Sequence, residues 1–431
     1  MDRESPSAAR AWSWIPSLYF VQGVPNVAVA TLSVVMYKNL GVSNTDIALY
    51  TSWLYLPWVI KPLWSPWVDV LGRKRLWIVA SQVLLGALFA SVALTIPAPG
   101  FFQATLALFW LVAFSSATHD IAADGFYLLA LREHQRAAFV GVRSVFFRLA
   151  MIAGQGGLVY QVGRWMREGV GAAQAWSWMF GLVGGGFAVV ALYHHLVLPR
   201  PAEDVPAPRK RAWAAEWMEV FAAFFRKPRI VSALAFLLLY RFAEAQLVKL
   251  VQPFLLDART DGGLGLTTDV VGWLYGVNGT IALLAGGVLG GWIISRFGLK
   301  RLLWPMACAI NVPNLAYVYL AMVQPEQVDL VRGAIVIEQF GYGFGFAAYM
   351  LFMMYLAEGE HKTAHYAICT GFMALGMMLP GMVSGWLQEQ LGYGSFFIWV
   401  CGSTVSGFLV TAWVTVPREY GRKREPGATA V

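Results

Sequence analysis

Eight charged side chains interrupt the long apolar stretches of this sequence, and their chemistry is the first thing to explain. Inside a lipid bilayer a charge at the centre of a helix costs roughly 2.5–3.5 kcal/mol, so such residues are functional or paired. We therefore treat these eight as candidate functional residues. They are four bases and four acids: Lys61, Arg148, Arg241, Lys249, Asp120, Asp124, Glu244 and Glu338.

Asp120 and Asp124 are four residues apart, so in a helix they share one face. Two carboxylates this close in a medium of low dielectric repel one another, which suits a carrier that loads and releases a proton. Lys61 and Arg148 fall at a similar depth, and His119 precedes the first aspartate. These five residues predict a proton-coupling cluster. The open alternative is a structural set of ion pairs that joins helices, with His119 as a polar packing residue.

The composition requires a protein that resides in a membrane. Of its 431 residues, 58% are hydrophobic and only 13% are charged, whereas a soluble domain has about 25% charged residues. This excludes a cytosolic enzyme, a nucleic-acid-binding domain and a disordered chain. Because a span needs about 20 apolar residues and must satisfy its own backbone hydrogen bonds, we predict an all-α polytopic membrane protein with twelve transmembrane helices.

The distribution of basic residues predicts the orientation. Most of the 32 lysines and arginines, Arg143 among them, fall at the ends of the spans that share a side with the N-terminus. Cytoplasmic loops carry the excess of Lys and Arg, so both termini are predicted to be cytoplasmic. The net charge of +8 is therefore an orientation signal and does not indicate a nucleic-acid partner.

An internal repeat divides the chain into two halves. The loop after the second predicted span reads D-V-L-G-R-K-R over 69–75, and the loop after the eighth reads S-R-F-G-L-K-R over 295–301. We predict an N-terminal six-helix bundle over 1–198, a cytoplasmic linker with an amphipathic helix over 199–227, and a C-terminal six-helix bundle with a tail over 228–431.

This arrangement resembles the major facilitator superfamily, whose transporters are built from related halves, and the loop over 69–75 resembles its D-x-x-G-R-K/R signature. The resemblance implies a cytoplasmic gate made by Asp69, Arg73, Lys74 and Arg75. In that superfamily spans 1, 4, 7 and 10 line the central cavity, and here they carry most of the buried polar residues. The pattern favours a hydrophilic solute, with these candidate contacts: Gln22, Asn26, Arg241, Glu244, Glu338 and Gln339.

Two longer segments resemble AmpG-type permeases and acetyl-CoA transporters. The segment 61–69 reads K-P-L-W-S-P-W-V-D, similar to their K-x-L-W-S/A-P-x-x-D element, and 117–125 reads A-T-H-D-I-A-A-D-G, similar to A-T-Q-D-I-A/V-x-D-G/A. His119 stands where that family has Gln. The resemblance implies a proton-driven importer in the bacterial cytoplasmic membrane that carries anhydro-muropeptides for cell-wall recycling.

We therefore expect a symporter that imports a muropeptide or amino-sugar-like solute with protons by alternating access. Acetyl-CoA transport and passive facilitation are alternatives, and an integral membrane enzyme using His119, Asp120 and Asp124 is the alternative from another class. We expect no catalytic residues, no cofactor and no metal. The expected partners are the solute, protons and the lipid bilayer, with no nucleic acid, and the expected oligomeric state is a monomer.

Overall fold

The computed structural model describes residues 11–131, 133–206 and 213–422, and within these residues the regular structure is helical. Contacts divide the chain into two units. The first comprises Met1–Ser43, Trp53–Arg211 and Thr267–Gly276, and the second comprises Asn44–Ser52, Ala212–Leu266 and Val277–Val431.

The helices of the first half of the chain are apolar along most of their length. Two π-helical turns, Ala28–Leu32 and Ile152–Leu158, join α1 to α2 and α7 to α8 without a break in the rod. In chain order the helices are α1 Ile15–Val27, α2 Ser33–Asn39, α3 Asn44–Trp53, α4 Leu56–Leu71, α5 Lys74–Thr95, α6 Phe101–Ala130, α7 Glu133–Met151, α8 Val159–Arg167 and α9 Ala172–Val197.

The second half follows the same plan after a linker helix. A π-helical turn, Gly272–Gly279, joins α13 to α14, and a 3₁₀ turn, Val312–Asn314, joins α15 to α16. The helices are α10 Trp213–Phe225, α11 Ile230–Leu239, α12 Phe242–Leu256, α13 Thr268–Val271, α14 Thr280–Phe297, α15 Leu299–Asn311, α16 Leu315–Val323, α17 Val328–Ala357 and α18 Lys362–Trp413.

Ten helical stretches of the described residues are long and apolar enough to cross a membrane. The predicted twelve differ from these ten at two places. The predicted second span, 47–67, is divided between α3 and α4, and Pro57 in the first turn of α4 cannot donate a backbone hydrogen bond to α3. The last two predicted spans lie within α18, where Gly392 has φ 71° and forms a kink between two helical arms. Twelve spans follow when both features are counted.

The described end of the linker, α10 and the residues after it, packs against helices of the second unit. Residues 207–212 of the predicted linker lie outside the described part of the chain, as do the side chains of Trp213 and Trp217. Phe224 of α10 is fully buried, with its ring 5.4 Å from the ring of His365. Lys227 donates to the Leu356 and Glu358 carbonyls at 2.6 Å, and burial lowers the pKa of Lys227.

Close helix crossings in the second unit depend on glycine. A methyl group on Gly343 of α17 would collide with the carbonyl of Leu283 in α14, and one on Gly286 would collide with the carbonyl of Phe340. Small residues let helix backbones approach closely in membrane proteins, where no hydrophobic force drives association. The pair α14 and α17 is therefore packed backbone against backbone, which fixes the position of α17.

Candidate functional site

Four helices of the first unit, α1, α4, α6 and α7, contribute the side chains around three residues of the predicted proton-coupling cluster, Lys61, Asp120 and Asp124. Asp120 of α6 pairs with the Nζ of Lys61 from α4, and the Nε2 of Gln22 from α1 donates to the other carboxylate oxygen. The side chains of Lys61 and Asp120 are 25% and 21% exposed. This ion pair is thus made inside the helix bundle and remains accessible.

The second aspartate has a different partner. Arg143 of α7 donates from Nη2 to the Oδ1 of Asp124 at 2.5 Å, and the hydroxyl of Tyr19 lies 3.4 Å from the same oxygen. The Arg143 guanidinium stands over the rings of Tyr19 and Tyr127, 4.3 and 4.7 Å from their centroids. Cation–π contacts of this kind orient a guanidinium while leaving its edge free to bind a carboxylate.

The two carboxylates are therefore not left to repel one another. They lie on one face of α6 as predicted, but each has its own cation, Lys61 for Asp120 and Arg143 for Asp124. Arg143 is one of the basic residues that predict the orientation from the ends of the spans, although the sequence also predicts a span over 139–163, which includes position 143. That position was the one signal that could have identified it. Arg148, the other base predicted to belong to the cluster, is half-buried.

His119 faces away from the ion pairs although it precedes Asp120. Its ring is 1% exposed, and its Nε2 lies 3.0 Å from the Nε2 of Gln82. Successive residues of a helix point about 100° apart, so adjacent side chains meet different neighbours. Asn26, one turn beyond Gln22 on α1, is half-buried.

In the second unit, Arg241 and Glu244 form a sealed pair at the start of α12. Two parallel hydrogen bonds of 2.7 and 2.9 Å join the guanidinium to the carboxylate. Arg241 also donates to the hydroxyl of Tyr342 at 2.6 Å and stacks 4.7 Å from the centre of the Phe346 ring. The two charged side chains are only 6% and 1% exposed.

Glu338 is also enclosed. Its Oε2 accepts hydrogen bonds from the hydroxyl of Tyr317 at 3.3 Å and from the Nε2 of Gln339 at 3.0 Å, and the residue is 2% exposed. Lys249, on α12, is 6% exposed and donates to the hydroxyl of Thr51 at 3.0 Å. The four candidate charged residues of the second unit, Arg241, Glu244, Lys249 and Glu338, are thus enclosed by protein atoms, whereas the two ion pairs of the first unit are only partly covered.

The signature loop over 69–75 is fastened to the start of the linker. Asp204 accepts the backbone N–H groups of Lys74 and Arg75 at 2.7 and 3.0 Å. The Arg75 guanidinium donates to the backbone carbonyls of His195 and Leu198 at the end of α9. Arg73 is exposed, and the side chain of Asp69 lies outside the described part of the structure.

These contacts complete two helix ends. The first turn of α5 has free N–H groups and a positive end of the helix dipole, and the carboxylate of Asp204 satisfies both. The last carbonyls of α9 are acceptors for a cation, which Arg75 supplies. As for metal binding, the described ranges contain no group of three or more His, Cys, Asp or Glu side chains that could hold an ion.

Comparison with known proteins places the fold. A family model described as Major Facilitator Superfamily matches residues 17–366. The anhydromuropeptide permease of Escherichia coli (strain K12) is 24% identical over 418 residues, which are 94% of this chain and 80% of that protein. An uncharacterized protein of Haemophilus influenzae is 24% identical over 420 residues, 94% of each chain. The crystal structure of a D-xylose-proton symporter superposes with a TM-score of 0.70 at 13% identity, covering 96% of this chain and 99% of that one.

Proposed function

The chain belongs to the Major Facilitator Superfamily, and from that premise we propose that it is a proton-coupled symporter for a muropeptide or amino-sugar-like solute. The superfamily and the permease relative are transporters, so the chain is a polytopic membrane transporter and not an enzyme. Alternating access would move the bound solute from one side of the membrane to the other.

One observation carries this proposal: two accessible ion pairs on the same face of α6. Lys61 with Asp120 and Arg143 with Asp124 have side chains that are 21–43% exposed. A charge inside a membrane is kept for a function or for a partner, and these residues have a partner and also side-chain surface that the neighbouring helices leave uncovered. An ion pair that is accessible can exchange its partner.

We infer a competition mechanism from this arrangement. A carboxylate of the solute would replace Asp124 beside Arg143 or Asp120 beside Lys61, because both cations can bind any carboxylate. The displaced aspartate would then lose its counter-charge and bind a proton, forming a neutral O–H group. Solute and proton would therefore load together, and re-forming the ion pair would release both.

The solute class follows from the chemistry of the site and from the relative. Lys61 and Arg143 suit carboxylates, while Gln22 and the hydroxyl of Tyr19 suit the hydroxyl and amide groups of a sugar-peptide. The Escherichia coli relative is named an anhydromuropeptide permease, and such molecules carry these groups. By that likeness we propose import across the bacterial inner membrane for cell-wall recycling, by a monomer with cytoplasmic termini.

The residues of the second unit have a later role in this proposal. Arg241, Glu244, Glu338 and Gln339 would contact the solute only after their present hydrogen bonds open, since their side chains are enclosed. Asn26 would contribute a further contact beside Gln22. His119 would act on Asp120 through the helix α6 that they share, and Arg148 would act from α7. The gate would comprise Asp69, Arg73, Lys74 and Arg75.

Uptake into proteoliposomes tests the coupling. We expect an inward proton gradient to accelerate uptake of labelled anhydromuropeptide by the full-length protein, and Asp124→Asn to abolish that acceleration. Asp329→Asn is the matched control, since Asp329 is paired with Arg332 but its side chain is 84% exposed. Uptake that ignores the proton gradient, or an Asp124→Asn variant that still responds to it, would contradict coupling.

A passive facilitator is the second candidate function, and the same ion pairs favour it in one respect. Each aspartate is already neutralised by a base, so the site needs no proton to balance its charge. In that case wild type and Asp124→Asn would carry the solute equally with and without a gradient. Competition by acetyl-CoA in the same vesicles would test the alternative substrate.

A further inference from the structure

A chain of four polar side chains runs through the first unit beside the ion pairs. His119 of α6 lies 3.0 Å from Gln82 of α5, and the Oε1 of Gln82 lies 3.0 Å from the Nδ1 of His194 on α9. The Nε2 of His194 lies 2.9 Å from the hydroxyl of Ser17 on α1. That hydroxyl is also 3.1 Å from the carbonyl of Trp14.

The interior members of this chain are shut off from solvent. His119 is 1% exposed, and Gln82 and His194 are fully buried. Placing a positive charge on a buried imidazole without an acidic partner is costly. Both histidines are therefore expected to be neutral, and each hydrogen bond between these side chains then needs one donor and one acceptor. In a neutral imidazole one nitrogen donates and the other accepts.

When the Nε2 of Gln82 faces His119, the four hydrogen bonds from His119 to the carbonyl of Trp14 cannot all be made. The amide nitrogen would donate to His119, and the amide oxygen would need a proton on the Nδ1 of His194. His194 Nε2 would then be an acceptor and would take the only proton of Ser17. The bond from Ser17 to the carbonyl of Trp14 would be lost.

Turning the Gln82 amide by 180° satisfies every bond. The oxygen then accepts from Nε2–H of His119, and the nitrogen donates to the Nδ1 of His194. His194 donates from Nε2–H to Ser17, which donates to the Trp14 carbonyl. Amide oxygen and nitrogen are assigned from the hydrogen-bond network, and the network here favours the turned form by one hydrogen bond.

We propose that Gln82, His194 and Ser17 are positioning residues that set the orientation of His119, and through it the face of α6 that carries Asp120. The chain is directional: every donor points from α6 toward α1. It has a second arrangement, with the protons of His119 and His194 both on Nδ1, in which Gln82 turns back and Ser17 donates to the Nε2 of His194 instead of to the carbonyl of Trp14. An element with two discrete arrangements can link the proton site on α6 to α1. This inference rests on the proposed function, because the positioned group is the proposed proton site.

The position of the protons gives a test that does not depend on transport. The full-length protein, labelled with ¹⁵N-histidine and placed in lipid nanodiscs, has six histidines, which single His→Gln variants assign. We expect His119 and His194 both to be neutral with the proton on Nε2. A proton on Nδ1 of either ring, or an imidazolium at His194, would overturn the assignment.

Transport tests the positioning role, and the histidine next to His194 in the sequence provides the control. His194 is buried and belongs to the hydrogen-bonded side chains, whereas the side chain of His195 is exposed. We expect His194→Leu and His119→Leu to lower anhydromuropeptide uptake by about fivefold, and His195→Leu to leave it unchanged. His119→Gln should recover uptake, because its amide N–H can donate to Gln82 as the imidazole does.

Two results would overturn the positioning role: equal losses in His194→Leu and His195→Leu, or no recovery by His119→Gln. Melting temperatures of the variants identify any that fail to fold. If the wild-type protein carries no anhydromuropeptide at all, the proposed function fails, while the ¹⁵N measurement still decides the arrangement of the chain.

Discussion

Arg143 Nη2 lies 2.5 Å from Asp124 Oδ1, and this bond joins α7 to α6 at the most accessible carboxylate of the site. The Asp124 side chain is 43% exposed and that of Arg143 is 27% exposed. The guanidinium of Arg143 is oriented by the two aromatic rings beside it as well as by the charge of Asp124. Its exposure lets another carboxylate compete for Arg143.

Replacing Arg143 should impair transport. We expect Arg143→Gln to lower uptake by about tenfold, the equivalent of about 1.4 kcal/mol, because the solute loses a cation and Asp124 loses its counter-charge. Arg143→Lys should recover only part of this, since an ammonium cannot donate in a fork or stack flat on a ring. Arg164→Gln, in an exposed pair with Glu168, is the control; an equal loss there would argue against a specific role.

The pairing of Lys61 with Asp120 should appear as a non-additive effect on stability. Each single variant, Lys61→Met or Asp120→Asn, leaves one charge without its partner among apolar helices. The double variant removes both charges and should melt closer to the wild type. We expect a coupling of about 0.5–3 kcal/mol in a thermal denaturation cycle in detergent. Additive losses would mean that the pair contributes nothing to stability.

Removing one partner of the buried Arg241–Glu244 pair should lower the free energy of unfolding by more than a change to the Lys61–Asp120 pair does. Glu244→Ala leaves Arg241 buried without its carboxylate, and removing one partner of a buried pair costs about 3–5 kcal/mol. Glu419→Ala is the matched control, because Glu419 pairs with Arg422 at the same i,i+3 spacing with both side chains exposed. The two variants should differ clearly in melting temperature. Similar losses would show that enclosure of the pair has no consequence.

The helix-capping role of Asp204 can be measured against its neighbour. Asp204→Ala removes both acceptors for the first N–H groups of α5, and losing a cap costs about 0.5–2 kcal/mol. Glu203→Ala changes the adjacent acidic residue, which is exposed, and should be neutral. Melting temperature and uptake together check this. If the two variants behave alike, the hydrogen bonds of Asp204 to Lys74 and Arg75 do not stabilise the loop.

Part of the site could be predicted from the sequence because it depends on local spacing. Asp120 and Asp124 share a face of α6 because helix periodicity requires it, and Lys61 could be placed near them by its depth in the second span. The pairing of Asp124 could not be predicted. It depends on how far α7 is rotated and shifted against α6, because that decides whether Arg143 or Arg148 reaches the carboxylate.

The neighbours that the His119 side chain contacts could not be predicted from the sequence either. Adjacency to Asp120 suggested a shared role, but the next residue along a helix faces different neighbours, and those neighbours come from α5 and α9. Likewise the charges on α12 and α17 were predicted to face a cavity, and whether rings such as those of Tyr342 and Phe346 cover them depends on packing between helices. The fold was more predictable because apolar length alone sets the number of spans.

The kink at Gly392 has a consequence for how the protein is made. α18 contains two spans and only one residue with non-helical backbone angles, Gly392 at φ 71°, a value that side chains other than glycine adopt at a cost. With so short a connection, neither arm can enter the bilayer far ahead of the other. The last two spans must therefore be inserted together as a helical hairpin, and a bulky residue at 392 would cause a defect in biogenesis before it caused one in transport.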